Sequence, residues 1–243
     1  MTRTAIISDI HSNWQALRSV WSRIEELNCD QIFCLGDIVG YGARPLECLN
    51  LLRENEVPCV QGNHDALVSD GSQNLNFNEH SLVAVDHNRA LLSPEQLAYL
   101  GGLPTLLKPE ERVFLAHGSP EDRDRYLVYR QDFRQVSSSL FSDGGPGVCF
   151  FGHTHYPVAY DGDSFLSCEA SPIDLNKDEM MLFNPGSVGQ PRDGDPRASF
   201  LVWDSEAETI TFERVEYDVD RAREEILAAG LPDRLANRLL AGR

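Results

Sequence analysis

The chain has 243 residues, which fits one large domain, and we expect residues 1–243 to form a single domain. Its hydrophobic fraction of 42% and charged fraction of 24% are ordinary for a globular protein and exclude a mainly disordered chain. With 21 basic and 38 acidic residues the net charge is −17, which argues against duplex nucleic acid or an anionic membrane as partner, although bound metal could still attract small anions.

The first part of the chain alternates short apolar runs with helical patterns. The runs are rich in β-branched residues and too short for typical helices, so they predict strands at Thr4–Ser8, Gln31–Leu35, Val57–Gln61, Arg112–Ala116, Val148–Phe151 and Met180–Phe183. Helices are predicted from Trp14 to Ile24 and, opened by Pro45, from Leu46 to Arg53. This order indicates a parallel core with right-handed crossovers.

Later segments depart from that alternation. Two helical segments predict an insertion near residues 75–103, the second with Ser93 as its N-cap and closed by Gly101 and Gly102. After residue 150 antiparallel strands are predicted at Val158–Tyr160, Phe165–Ser167, Ser199–Trp203 and Ile210–Val215. Amphipathic helices Val219–Leu227 and Asp233–Leu240 follow, near residues 219–240.

Side chains that can bind metal follow the predicted strands. They occur in Asp9-x-His11, Gly36-Asp37, Gly62-Asn63-His64-Asp65, His117-Gly118 and Gly152-His153-Thr154-His155. Functional sites in open α/β sheets gather beyond the carboxyl ends of strands, so we expect these side chains to meet. Residues two apart in an extended segment share a face, which would let each Asp-x-His or His-x-His pair converge.

Carboxylate, imidazole and amide ligands together suit divalent ions such as Mn²⁺, Fe²⁺, Ni²⁺ or Zn²⁺; we favour Mn²⁺, with Mg²⁺ as a further alternative. The six cysteines form no CxxC pair, which argues against structural zinc and favours reduced thiols. The seven candidate side chains are too many for one ion. Two ions that share a carboxylate would acidify a bridging water, so the motifs predict phosphoester hydrolysis.

The motifs, in this order, resemble those of the calcineurin-like metallophosphoesterase superfamily, and Asn184-Pro185-Gly186-Ser187 resembles a segment of its small stand-alone prokaryotic members. The likeness spans about three-quarters of the chain. It implies an α/β fold, a four-layer αββα sandwich of two mixed sheets. It also implies two metal ions, one bound by Asp9, His11 and His155, the other by Asn63, His117 and His153, with Asp37 between them.

The resemblance makes His64 an outer-sphere acid, with Asp65 orienting its ring. A turn or helix cap is an equally good interpretation of Asp65. Tyr41 could line a substrate pocket or pack the loop, and Arg192 could bind phosphate or pair with a nearby aspartate. The sequence does not decide between these alternatives.

Residues Ile38–Gly42 stand where serine/threonine protein phosphatases have Asp-Arg-Gly, which disfavours that branch. We expect a phosphodiesterase or phosphatase that uses a metal-bridging hydroxide on small phosphoesters, with nucleotides among the candidates. The alternatives are a non-catalytic metal-binding scaffold and a nuclease of single-stranded nucleic acid. No apolar stretch approaches the ~20 residues of a membrane span, so we expect a cytoplasmic enzyme whose oligomeric state stays open.

Overall fold

A computed structural model describes residues 3–71, 77–169 and 172–243 of the chain. The strands in these residues are β1 (Arg3–Ile7), β2 (Gln31–Cys34), β3 (Leu106–Glu110), β4 (Val113–Ala116), β5 (Gly147–Phe150), β6 (Pro157–Tyr160), β7 (Phe165–Leu166), β8 (Ile173–Asp174), β9 (Met180–Pro185), β10 (Ala198–Asp204) and β11 (Thr209–Val215). The helices are α1 (Trp14–Glu26), α2 (Pro45–Glu54), α3 (Asn63–Asp70), α4 (Glu79–Leu91), α5 (Pro94–Gly101), α6 (Arg130–Ser142), α7 (Val219–Ala228) and α8 (Asp233–Ala241).

The strands form two mixed sheets. The first has the order β2-β1-β10-β11-β8, in which β1 runs parallel to β2 and antiparallel to β10. The second has the order β3-β4-β5-β9-β6-β7, with a parallel centre of β4, β5 and β9. The carboxyl ends of the parallel strands in both sheets carry the loops described below.

Alternating side chains divide the core into layers. In β1, Ile7 packs in a cluster with Leu17 of α1 and Leu49 of α2, whereas Ile6 packs between the two sheets with Phe183. The far face of the second sheet packs against α6 through Phe133. The helix–sheet–sheet–helix order confirms the predicted αββα fold.

Several elements of the fold differ from the sequence prediction. The strand predicted at Val57–Gln61 was wrong: this segment makes only an isolated parallel bridge between Cys34 and Cys59. Gln61 donates its backbone N–H to Pro104 instead of continuing the ladder. Helices α3 and α6 and strands β3 and β8 had not been predicted.

The predicted insertion contains α4 and α5, although its residues 75 and 76 lie outside the described residues. Ser93 caps α5 as predicted: its hydroxyl accepts the N–H of Gln96, whose side chain accepts the N–H of Ser93. The C-terminal helices α7 and α8 pack with Tyr41 and Ala84. In the described part of the chain no helix is long and apolar enough to cross a bilayer. One domain spanning residues 1–243 stays a prediction.

Candidate metal centre

The predicted site residues gather where parallel strands end. Asp9 follows β1, Asp37 follows β2, His117 follows β4 and His153 follows β5. Asn63 is half-buried and begins α3, and the other eight predicted residues are buried. The fold therefore brings together side chains that are as far as 146 positions apart, from Asp9 to His155.

One group contains Asp9, His11 and His155, whose ligand atoms lie within 4.8 Å of one another. The Nε2 atoms of the two histidines are 3.1 Å apart, and Asp9 Oδ1 is 3.2 Å from His155 Nε2. Asp9 Oδ1 is buried without a hydrogen-bond partner, because the Ser8 hydroxyl and the His153 N–H both donate to Oδ2. An unpaired carboxylate oxygen thus faces two imidazoles.

A second group contains Asp37, His117 and His153, also within 4.8 Å of one another. His117 Nε2 lies 3.1 Å from His153 Nδ1 and 3.0 Å from the side-chain oxygen of Asn63. These are the residues that the resemblance assigned to the other metal ion. The structure brings them together beside the first group.

Asp37 lies between the two groups. Its Oδ2 atom is 3.5 Å from His11 Nε2 and 3.3 Å from His117 Nε2. Its Oδ1 atom accepts the backbone N–H of His64 at 2.8 Å, which fixes the carboxylate plane. One carboxylate oxygen thus lies within 3.5 Å of a histidine nitrogen in each group.

Hydrogen bonds to carbonyls turn the four clustered histidines inward. His11, His117 and His155 each direct Nδ1 to a backbone carbonyl, of Val39, Leu35 and Gln190 respectively, and His153 directs Nε2 to the carbonyl of Asp124. Because a carbonyl only accepts, these nitrogens carry the proton in the neutral rings. The opposite nitrogens then present lone pairs to each other at 3.1 Å, next to two carboxylates.

Such an arrangement needs positive charge at its centre, so the residues present fit divalent metal ions. Burial, together with the neighbouring His117, lowers the pKa of His153 to about 3. Burial also disfavours a charged His117, yet the Asp37 carboxylate outweighs it and raises the pKa of His117 to about 9. A proton on His117 is thus the cation that this cluster takes up when no metal competes.

Backbone geometry corrects one part of the sequence argument. Asp9 and His11 lie in one group and His153 and His155 lie in neighbouring groups, but neither pair is part of an extended segment. All four residues and Asp37 have positive φ, between 49° and 67°. The chain curls into the left-handed region just beyond each strand, and this turn aims the side chains at one point.

His64 lies beside the cluster, at the start of α3. It is buried, its ring contacts those of Tyr41 and Phe77, and its Nδ1 atom has no hydrogen-bond partner. Its ligand atom also lies within 4.8 Å of those of His11 and Asp37. Burial lowers its pKa to about 4, so the ring is neutral at pH 7 in the absence of metal and substrate.

Asp65 caps α3. Its two oxygens accept the backbone N–H groups of Val39, at 3.2 Å, and Gly62, at 3.0 Å. These are the contacts expected of a helix cap, and they also tie the loop after β2 to α3. Burial, reinforced by the Asp37 charge, raises the pKa of Asp65 to about 7. A role in orienting His64 stays a prediction.

A cleft opens from the cluster to solvent. Its lining includes Asp37, Asn63, His64, His153, His155, Tyr41, Phe77, Tyr126 and Arg192. Tyr41 fits both of its interpretations, since its ring packs on His11 and His64 and also borders the cleft. The ring of Tyr126 packs against that of His153 at a tilt of 40°, with centroids 3.9 Å apart, and Tyr126 is half exposed.

The sequence analysis missed Asn88, which holds the loops of the site in place. Asn88 of α4 bonds three groups of the loops after β1 and β2: its oxygen accepts from Gly40 N–H and the Ser12 hydroxyl, and its amide donates to Gly42 carbonyl. Ser187 donates its hydroxyl to the carbonyl of Asp9. Asn88 stands at helical spacing from Ala84 and Val85, so the sequence places a polar amide on the buried face of α4. A buried amide needs hydrogen-bond partners, and this was the available signal for Asn88.

Comparison with known proteins agrees with this geometry. A family model described as the calcineurin-like phosphoesterase superfamily domain matches residues 2–208. An uncharacterized protein of Methanocaldococcus jannaschii is 37% identical over 243 residues, covering 98% of each chain. Phosphodiesterase YfcE of Escherichia coli is 24% identical over 213 residues, or 86% of this chain and 91% of that protein.

Solved structures share the whole fold. The crystal structure of a metallophosphoesterase from Sphaerobacter thermophilus matches with a TM-score of 0.84 and 35% identity over 100% of both chains. A hypothetical protein from Pyrococcus horikoshii OT3, 21% identical, has the same fold, with a TM-score of 0.83 over 100% of this chain and 99% of that one. The chain therefore belongs to the calcineurin-like phosphoesterase superfamily, in its small prokaryotic branch, and is a metal-dependent hydrolase of phosphoester bonds.

Proposed function

We propose that the cluster is a two-metal centre that hydrolyses small phosphoesters, with nucleotides among the candidate substrates. Asp9, His11 and His155 would hold one ion, and Asn63, His117 and His153 the other. The observation that carries the proposal is the position of Asp37 Oδ2, 3.5 Å from His11 Nε2 and 3.3 Å from His117 Nε2. One carboxylate atom thus serves both groups.

Two divalent ions held in this way would supply an acidified water and stabilise the charge of an in-line phosphoryl displacement. The protein's own contribution is orientation. The carbonyls of Leu35, Val39, Gln190 and Asp124 accept the outward ring N–H groups and orient the four imidazoles. The inward nitrogens would then be ready to coordinate, that of His117 once its proton is released. Mn²⁺ is the favoured ion, and Fe, Ni, Zn and Mg are alternatives that the ligand types permit.

His64 is the proposed acid. Its Nδ1 atom has no partner in the protein, and its ring borders the cleft next to Asp37 and Asn63. A substrate phosphate would add negative charge there and favour the protonated ring, which could then donate to the leaving oxygen. Tyr41 and Phe77 pack against the ring and restrict its motion.

The test uses protein that is dialysed against a chelator and reloaded with Mn²⁺, assayed with bis-p-nitrophenyl phosphate and p-nitrophenyl phosphate. Asp37→Asn should lower the bound metal content and reduce hydrolysis about 1,000-fold or more, because it weakens both groups. His64→Ala should keep the metal content and lower kcat about 100-fold. His87→Ala, on α4 and away from the cluster, is the matched histidine control.

Two outcomes would replace the proposal. Full metal content with no hydrolysis of any ester, and no effect of the Asp37 and His64 variants on any ligand, would favour the non-catalytic scaffold. Cleavage of single-stranded oligonucleotides in preference to cyclic nucleotides and dinucleoside polyphosphates would favour the nuclease. Elemental analysis of the same samples identifies the ions. Action in the cytoplasm stays a prediction.

A further inference from the structure

The wall of the metal cleft carries an arginine without a carboxylate partner. Arg192 is half-buried, and its backbone N–H donates to the carbonyl of His155, a candidate ligand. The aspartates that could have paired with it are engaged elsewhere: Asp193 pairs with Arg214, and Asp195 pairs with Arg197. Among the described residues, no ion pair to Arg192 is present.

The guanidinium of Arg192 is incompletely bonded. Its Nε atom is buried and has no hydrogen-bond partner in the described structure. Its Nη2 atom makes two long contacts of 3.4 Å, to the Tyr41 hydroxyl and to the Gln190 side-chain oxygen. An arginine has five N–H donors in a planar fork, so most of this donor capacity is left for a ligand.

Aromatic rings fix the guanidinium in place. Its central carbon lies 5.8 Å from the centroid of Tyr41, whose ring also contacts His11 and His64. Tyr126, whose ring packs against His153, lines the same cleft beside this guanidinium. These neighbours are neutral, so they orient the cation without neutralising it.

We propose that Arg192 binds the non-bridging oxygens of the substrate's phosphoryl group, with Tyr41 and Tyr126 holding the guanidinium at the edge of the metal centre. This inference deepens the proposed function and rests on it for the identity of the ligand. A half-buried cation with an unpaired, buried Nε favours an anion, and a forked guanidinium matches a phosphate through two parallel N–H···O bonds.

The assignment also predicts which phosphate is favoured. Arg192 adds one fixed positive charge beside the metals, and its attraction grows with the charge of the ligand. Inorganic phosphate and monoesters approach a charge of −2 at neutral pH, whereas diesters carry −1. Loss of Arg192 should therefore weaken binding of phosphate and monoesters more than binding of diesters.

The experiment measures binding and turnover separately. Orthophosphate is titrated into Mn²⁺-loaded protein by calorimetry, and its inhibition constant is determined against bis-p-nitrophenyl phosphate. Arg192→Gln should raise both constants about 10- to 100-fold, the range of a charge-assisted bidentate bond, with metal content unchanged. Both constants of Arg192→Lys should lie between those of the original protein and those of Arg192→Gln. Added guanidinium should restore part of the p-nitrophenyl phosphate hydrolysis that Arg192→Ala loses.

Arg197→Gln is the control, because it removes a nearby exposed arginine that is paired with Asp195. If phosphate binds Arg192→Gln as tightly as the original protein, or if the original protein does not bind phosphate, the assignment is overturned. Arginine-dependent phosphate binding without hydrolysis of any ester would instead uphold it and refute the enzymatic mechanism. If Arg192→Gln hydrolyses the esters with an unchanged KM and an unchanged inhibition constant for phosphate, the enzymatic mechanism is upheld and the role of Arg192 is refuted.

Discussion

Replacing Asn88 by alanine should weaken both the fold and the metal centre, although Asn88 is not a candidate ligand. The side chain is completely buried and joins α4 to the loops that follow β1 and β2. It accepts from Gly40 N–H at 2.9 Å and from the Ser12 hydroxyl at 2.5 Å, and it donates to the Gly42 carbonyl at 3.0 Å. Asn88→Ala removes all three bonds and leaves their partners buried.

The magnitude follows from those three partners. Each buried polar group left without a partner costs about 1–2 kcal/mol, so three of them should lower the free energy of unfolding by about 3–6 kcal/mol. That is a large fraction of the roughly 5–15 kcal/mol typical of a domain. Gly40 and Gly42 flank Tyr41 and belong to the loop that begins at Asp37, so this loop should loosen as well. Metal affinity should fall about 10- to 100-fold, as for other second-layer hydrogen bonds.

Urea unfolding followed by circular dichroism gives the stability change, and competition with a chromophoric chelator gives the Mn²⁺ affinity. Asp86→Ala is the matched control, because Asp86 is an exposed residue on the same helix with similar helix propensity. Its stability change should stay within about 0.5 kcal/mol. A loss below about 1 kcal/mol in Asn88→Ala, together with unchanged metal affinity, would refute the bonding role assigned to this residue.

Gly152→Ala should destabilise the protein by about 3 kcal/mol, because the added Cβ would lie 2.0 Å from the Ser8 hydroxyl oxygen. Gly194→Ala is the control and should cost only about 1 kcal/mol, for its φ of +89°. Thermal unfolding compares the two variants, and equal losses of stability would contradict a steric clash at Gly152. Metal binding should release a proton from His117, whose pKa is raised to about 9 by Asp37 despite burial. Calorimetry in buffers of different ionisation enthalpy should detect that proton at pH 7.5 but not well above pH 9, and Asp37→Asn should abolish it. In the metal-free protein the same pair stabilises the fold below pH 6.5, and this contribution should be lost as the pH rises through 9.

Candidate ligands were predictable from sequence because each one stands just beyond a short apolar run. Strand ends in parallel sheets face the same edge, and imidazole or carboxylate groups repeated at those ends leave few other interpretations. Asp9 and His117 are examples, since β1 and β4 were both predicted within one residue of their observed bounds.

Helix α6 was not predictable by the same argument, because Ser137, Ser138 and Ser139 interrupt its apolar pattern and only tertiary packing favours helix there. The residues that line the cleft could not be predicted from the sequence either. Tyr126 and Phe77 come from loops outside every motif, and only the three-dimensional fold places them against His153 and His64. The cleft wall is therefore formed in part by residues that carry no local sequence signal.

Left-handed backbone at Asp9, His11, Asp37, His153 and His155 has a consequence for selection experiments. At about 1 kcal/mol for each such residue, the five together disfavour the folded chain by about 5 kcal/mol. Glycine would relieve that strain at any of them while removing a ligand. Asp9 and Asp37 also accept buried backbone N–H groups, so a library ranked for heat resistance without metal should accumulate glycine at the three histidines, and the most robust clones should be the least able to hydrolyse a phosphoester.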